Sequence, residues 1–368
     1  MSERQLIRLD ETLWHQAPFP FRFAGTSDPR FYDRFWFGGV DPGGTGGFLS
    51  GLAFYKNVGV CDGYAVVQRD DTQRNARFSR RLAGDLERTG VGDLDVEVDE
   101  PFRHLRVRWS GERTPLCGEL AFTADFEPWC EAHYLDVSTG TVSQEITRYN
   151  QIGHWDGWFD DGSGRVDVER WWAVRDHSWG VRPGVAGIGR SVADPATGAA
   201  AMLHAVLYCA TEDLALCVSV REDDQGRRTY LDGEAITVDG QHDTVVSVQL
   251  RPVFTEGTRT YEQVSMAVGM AGGAAFEVSA TPLLHPWAYA GTGYDGGYAD
   301  GLGLGVPRGE LAEQDTYQLV PPEQVLLEGR PTSPGHREQF AHVTVNGVET
   351  TGYCTVMTRG ALPAYGLT

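Results

Sequence analysis

Lysine is almost absent from this chain. Of the 31 basic residues among 368, only Lys56 is a lysine, and 51 acidic residues leave a formal net charge of −20. A field of that sign repels phosphate backbones and anionic lipid, which sets aside nucleic-acid partners and stable membrane insertion. Hydrophobic runs are short as well. None approaches the roughly 18 to 20 apolar residues of a spanning helix, and the opening "MSERQLIRLDE" lacks the apolar core of a signal peptide. The expectation is a soluble, cytoplasmic protein. Cysteine is scarce: Cys61, Cys117, Cys130, Cys209, Cys217 and Cys354 form no CxxC pair, and a chain this long does not need staples, so free thiols are expected.

Several signatures of familiar chemistry are also missing. There is no HExxH, and the ten histidines show no metal-site spacing, so no metal is expected. No GxSxG elbow and no SxxK occur, which leaves serine-hydrolase machinery without footing. "GGVDPGGTGG" (38–47) lacks the Lys-Ser/Thr ending of a phosphate loop, and "GVAGIG" (184–189) has no strand and helix around it. Both read as loops, and no cofactor is expected.

What is present is strand grammar. "GYAVVQRD", "LDVEVDEP", "HLRVRWSG" and "VDVERWWAV" are short, rich in β-branched and aromatic residues, and bounded by Gly, Pro or Asp. The same pattern returns after about residue 200 in "MLHAVLYCAT", "DTVVSVQLRPVF" and "GYCTVMTRG". Only residues 70–88 offer a passable helical stripe. With almost no βαβ alternation the chain should be antiparallel and all-β, and the recurrence suggests two barrels, 1–185 and 186–368, joined in the Gly- and Pro-containing stretch 182–199. A second irregular stretch, 285–310, is too long for an ordinary loop. With His285, Trp287, Tyr289, Tyr294 and Tyr298 it reads as an aromatic lid over a barrel mouth, lining a pocket or simply packing it.

The densest chemistry lies in "WWAVRDHSWGVRP" (171–183). Trp171 and Ala173 share one strand parity, Trp172 and Val174 the other, as in a strand covered on both faces. Arg175, Asp176 and His177 are consecutive, so an ionisable group must enter a buried face, where it needs a partner. Two readings stand side by side. Asp176 is a general acid with His177 as its orienting or proton-shuttling partner, or the pair is a structural corner. In "YNQIGHWDG", Tyr149 and Gln151 share the parity taken to face a ligand, while the "DGW" turn leaves Asp156 solvated. Lys56 is either a desolvated base or partner for an acidic ligand, or a solvated loop residue.

"RDHSWGVRP", with "YNQIGHWDGWFDDG" (149–162), "EVDEPFRHLRVRW" (97–109), "YLDGEAITVDG" and "VNGVETTGYC", resembles the carotenoid 1,2-hydratase/AttH-like superfamily of tandem lipocalin-like proteins, in particular its actinobacterial branch. The resemblance implies two lipocalin-like (calycin) barrels and relatives that hydrate polyene termini or fold polyketides and terpenoids without a cofactor. It also implies that Trp179 packs beneath Arg182 as a barrel staple. The expected function is acid–base catalysis, of hydratase, dehydratase, isomerase or cyclase type, on a hydrophobic small molecule in an apolar junction pocket. Asp176 and His177 are its catalytic candidates; Tyr149, Gln151, Trp171, Trp172, Trp179, Lys56, His285, Trp287 and Tyr289 are its binding candidates. The alternative is a carrier of an apolar ligand without chemistry.

Overall fold

The structure, a computed structural model, describes residues 6–13, 15, 18, 20–82, 85–137, 142–188, 201–294, 296–332 and 338–368. Short runs of β-branched and aromatic residues become strands throughout, because branched side chains pack well on a pleated, half-buried surface. The first sheet takes β1 (Phe31–Val40), β2 (Gly47–Tyr55), β3 (Val60–Arg69), β4 (Thr72–Arg81), β5 (Gly90–Val91), β6 (Leu94–Glu100), β7 (His104–Ser110), β8 (Cys117–Ala124), β9 (Trp129–Cys130), β10 (Tyr134–Asp136), β11 (Gln144–Asp160) and β12 (Arg165–Val181). The second takes β13 (Met202–Ala210), β14 (Leu214–Asp223), β15 (Arg228–Thr237), β16 (His242–Phe254), β17 (Tyr261–Met270) and β18 (Ala275–Pro282). Three strands then return to the first sheet: β19 (Leu311–Val320), β20 (Gln324–Leu327) and β21 (Arg330–Thr332). The chain ends in the second with β22 (Phe340–Val345) and β23 (Val348–Arg359).

This is the all-β, tandem lipocalin-like architecture expected. Strands β13 to β18 with β22 and β23 close an antiparallel barrel, and Asn346-Gly347, both at positive φ, make the two-residue hairpin between its last strands. The first sheet curls until β5 and β6 lie against β3, where Val91 and Leu94 fill the space above Gly63. Both interiors are solid. Trp155, Phe48, Phe122 and Trp171 fill the first, and alternate residues of β13 and β14, from Leu203 to Val220, fill the second. Gly39 is required by that packing, because a Cβ there meets the Phe48 ring at 2.4 Å and Trp155 at 2.8 Å.

Two expectations change. A division at 185/186 leaves 311–332 on the wrong side, since β19 pairs with β4 and carries the chain back to the first sheet. Of the expected joint at 182–199, residues 189–199 lie outside the described residues. The stripe at 70–88 is no helix: Thr72–Arg81 is strand β4, turned back on β3 at Asp70 (φ 50). Its polar residues Gln73, Asn75 and Arg77 are buried because the segment after β18 crosses over them, with Gln73 bonding both the N–H and the C=O of Ala288 at 2.8 and 2.9 Å. No helix among the described residues is long and apolar enough to cross a membrane. The six cysteines are all unpaired.

Candidate functional site

The outer face of β1, β11 and β12 packs against the outer face of β13, β14 and β23. Trp36, Trp172, Tyr208, Trp287, Phe340 and Tyr353 form the core of that contact. Beside it lies a cavity of about 640 Å³. Its first wall follows from strand register. β12 runs between β1 and β11, with Asp176 opposite Trp36 on one side and Asn150 on the other. Arg34 and Arg148 both stand opposite Ser178, two residues along, so on the same face they flank Asp176 from either side. The Asp176 carboxylate lies 3.5 Å from Arg34 Nη2 and 3.7 Å from Arg148 Nε, and Ser178 Oγ donates to it at 3.3 Å.

His204, Tyr208 and Arg221 come from the second barrel's outer face, joined by Tyr353 and Arg359. The roof comes from the crossing segment, where Tyr289 and Tyr294 stack with centroids 4.6 Å apart. Arg182, just after β12, donates to the Tyr294 hydroxyl at 3.3 Å. Burial alone pulls the Arg34 guanidinium below its ordinary value, but Asp176 and then Tyr289 hold it above. Arg182 goes the other way: burial, and then the neighbouring Arg34 charge, pull it down, and Tyr32, Tyr289 and Tyr55 offset only part of that. Tyr64, Tyr208 and Tyr289 are pushed up, chiefly by burial, so their hydroxyls stay protonated.

The structure brings together fewer of the expected residues than the sequence suggested. Asp176 and Tyr289 line the cavity, and Trp172 and Trp287 pack in the apolar core beside it. His177 does not accompany Asp176, because successive strand residues point to opposite faces. It sits at the first barrel's mouth, its Nε2 2.8 Å from Asp33 Oδ1, with Phe35, Trp179 and Tyr149 around the ring. Lys56 Nζ lies 4.0 Å from the other Asp33 oxygen, so the lone lysine belongs there. Tyr149 and Gln151 share that side and are held by Arg175, whose Nη1 donates to Tyr149 Oη at 3.2 Å and whose Nη2 donates to Gln151 Oε1 at 2.6 Å. Trp171 is part of the first barrel's filling. His285 pairs with Asp71 at 2.7 Å, away from the cavity.

Two further expectations are corrected. Trp179 is 37% exposed, and Arg182 packs over the rings of Tyr32 and Tyr294 instead, because the chain leaves β12 at Val181 and turns beneath the crossing segment. Nor is the junction pocket apolar. Among the described residues, five arginines (34, 148, 182, 221 and 359) line it with two carboxylates, Asp176 and Glu338. Among the described residues no three His, Cys, Asp or Glu side chains gather as metal ligands. The overlooked arginines left a trace: Asp33 and Arg34, one on each parity, interrupt the otherwise apolar "FYDRFWFGGV", so each face carries a charge that must be buried, paired or solvated.

A family model spans most of this architecture, matching residues 6–315. The chain belongs to a family of unknown function, DUF8625. No curated protein matches it. Among solved structures, this DUF8625 chain is similar to a protein assigned as AttH from Nitrosomonas europaea, with TM-score 0.53 and 13% identity over 94% of this chain and 98% of that one. That likeness supports an AttH-like fold. CghA, solved alone and with Sch210972, aligns with TM-score 0.49 at 8% and 9% identity over 90% of this chain and 89% of that one.

Proposed function

We propose that the protein is a cofactor-independent acid–base catalyst acting on a hydrophobic small molecule held between the barrels, with Asp176 transferring the proton. One observation carries this reading: strand register presents the Asp176 carboxylate at the wall of a cavity of about 640 Å³ roofed and floored by aromatic rings. A carboxylate there takes a proton from carbon or oxygen, and Arg34 and Arg148 stabilise the negative charge left on the substrate. An arginine-rich wall favours enolate-like over carbocation-like intermediates. The steps it suits are therefore dehydration, isomerisation or ring closure through an anion, rather than protonation of an isolated alkene.

A second reading is a carrier, and the ties of Asp176 to Arg34, Arg148 and Ser178 favour it, since a carboxylate so engaged can serve as a counter-charge alone. Incubating a metabolite extract with wild-type protein and with Asp176→Asn, followed by mass spectrometry of free and protein-bound fractions, separates the two. Catalysis is supported by compounds consumed by the wild type and converted at least about 100-fold more slowly by the folded variant. Compounds captured equally by both proteins and converted by neither refute it in favour of the carrier.

A further inference from the structure

The cavity's cationic end is under-compensated in a specific place. Arg34 on β1 and Arg182 after β12 lie over the same two rings: the Arg34 guanidinium carbon is 5.8 Å from the Tyr32 centroid and 5.5 Å from that of Tyr294, and the Arg182 carbon is 5.6 and 5.0 Å away. Two positive charges thus share one aromatic bracket. Arg34 is 5% exposed, yet its Nε and Nη1 find no hydrogen-bond acceptor among the described residues. Its one carboxylate, Asp176, is shared with Arg148. Arg182 forms no ion pair among the described residues, and its partner there is the neutral Tyr294 hydroxyl. Buried polar groups are ordinarily hydrogen-bonded, and a buried charge is ordinarily paired.

From this we infer that the compound bound between the barrels carries a carboxylate-class anionic head, held between Arg34 and Arg182, and an apolar body lying along Trp36, Tyr208 and Tyr353. The inference rests on the reading of this cavity as the substrate site. Guanidinium N–H groups point in a fixed plane, so the Nε–H and Nη1–H of Arg34, on either side of the Nη2 that faces Asp176, can each donate to an anionic head and, with Arg182 across the shared rings, supply both attraction and orientation. The body has its own platform: Tyr208 and Tyr353 stack with centroids 5.6 Å apart, and Trp36 meets Tyr353 edge-on at 5.8 Å. The net charge of −20 does not oppose such a head, because the local balance of the cavity wall, among the described residues, is opposite to that of the chain.

The test uses two pairs of probes differing only in charge: cis-parinarate and its methyl ester, a polyene body, and 1-naphthylacetate and its methyl ester, an aromatic one. Binding to the full chain is followed by fluorescence. At least one acid is expected to bind 10-fold or more tightly than its ester, and which body is preferred identifies the polyene or aromatic source. Arg34→Gln and Arg182→Gln should each cut that preference below threefold, by weakening the acid far more than its ester. Circular dichroism checks folding, and if Arg34→Gln fails to fold, Arg182→Gln, which is only partly buried, carries the test. Equal affinity for acids and esters, no binding of either acid, or a preference untouched by the folded variants overturns the inference. A normal acid preference in a protein whose turnover ignores Asp176→Asn defeats only the catalytic reading.

Discussion

Asp62 offers a quantitative check on how the crossing segment is held. It lies on β3 beneath residues 298–308, 1% exposed, and accepts the Gly305 N–H at 2.7 Å. Burial pushes its carboxyl up from 3.8 to about 6, with Ser79, the Gly305 N–H and the Arg308 charge offsetting only part of that. Between those two values the folded state binds a proton that the unfolded state has released, so stability falls as pH rises through the window. The difference makes the ionised group cost the fold about 3 kcal/mol at pH 7 and under about 1 kcal/mol at pH 4. Asp62→Asn keeps an acceptor for Gly305 and removes the charge. The variant is therefore expected to melt roughly 3–6 °C above wild type at pH 7, the gap closing towards pH 4. Paired thermal melts from pH 4 to 7.5 read this directly, and subtraction cancels the other titrating groups. A variant destabilised equally at both ends, or a gap that does not vary with pH, refutes the reasoning.

Two packing predictions follow from the same segment. Trp287 is fully buried in the inter-barrel core beside Phe340, so Trp287→Ala is expected to lose about 3–5 kcal/mol of stability and to split the single calorimetric melting transition expected of the wild type into two as the barrels uncouple. A single transition at the wild-type temperature contradicts it. At Gly291 a Cβ meets Asn75 Oδ1 at 2.1 Å and Gln73 Nε2 at 2.5 Å, both held in hydrogen bonds. Gly291→Ala should therefore undock the segment and speed limited proteolysis within 285–310 at least several-fold, and an unchanged digestion pattern argues against that anchoring role.

The fold was legible because its causes are local. Alternation, β-branched content and turn residues such as Asn346-Gly347 act over a few residues, and they point to antiparallel strands wherever they occur. The stripe at 70–88 misled for a non-local reason: Gln73, Asn75 and Arg77 look like a solvated face until a segment more than 200 residues later covers them. The return of β19 to β4 has the same origin, since no property of residues 311–320 alone says which sheet edge they will extend.

The candidate site was legible only in part, because a catalytic constellation on strands is decided by parity and register together. "RDHSW" marks a buried ionisable stretch, but parity sends Asp176 to one side of the sheet and His177 to the other, where Asp33, 144 residues earlier, receives it. Register then supplies Asp176 with neighbours that lie nowhere near it in the chain: Arg34 from β1 and Arg148 from β11. The net charge misleads in a similar way. A total of −20 governs what the protein meets at a distance. It says nothing about a wall a few ångströms from a ligand, where three guanidiniums, those of Arg34, Arg148 and Arg182, set the field. Charge excluded phosphate backbones as long-range partners. It did not exclude a small anion, because solvent and salt screen the dispersed surface charge beyond about 10 Å, while a ligand in the cavity feels the guanidiniums beside it at lower dielectric.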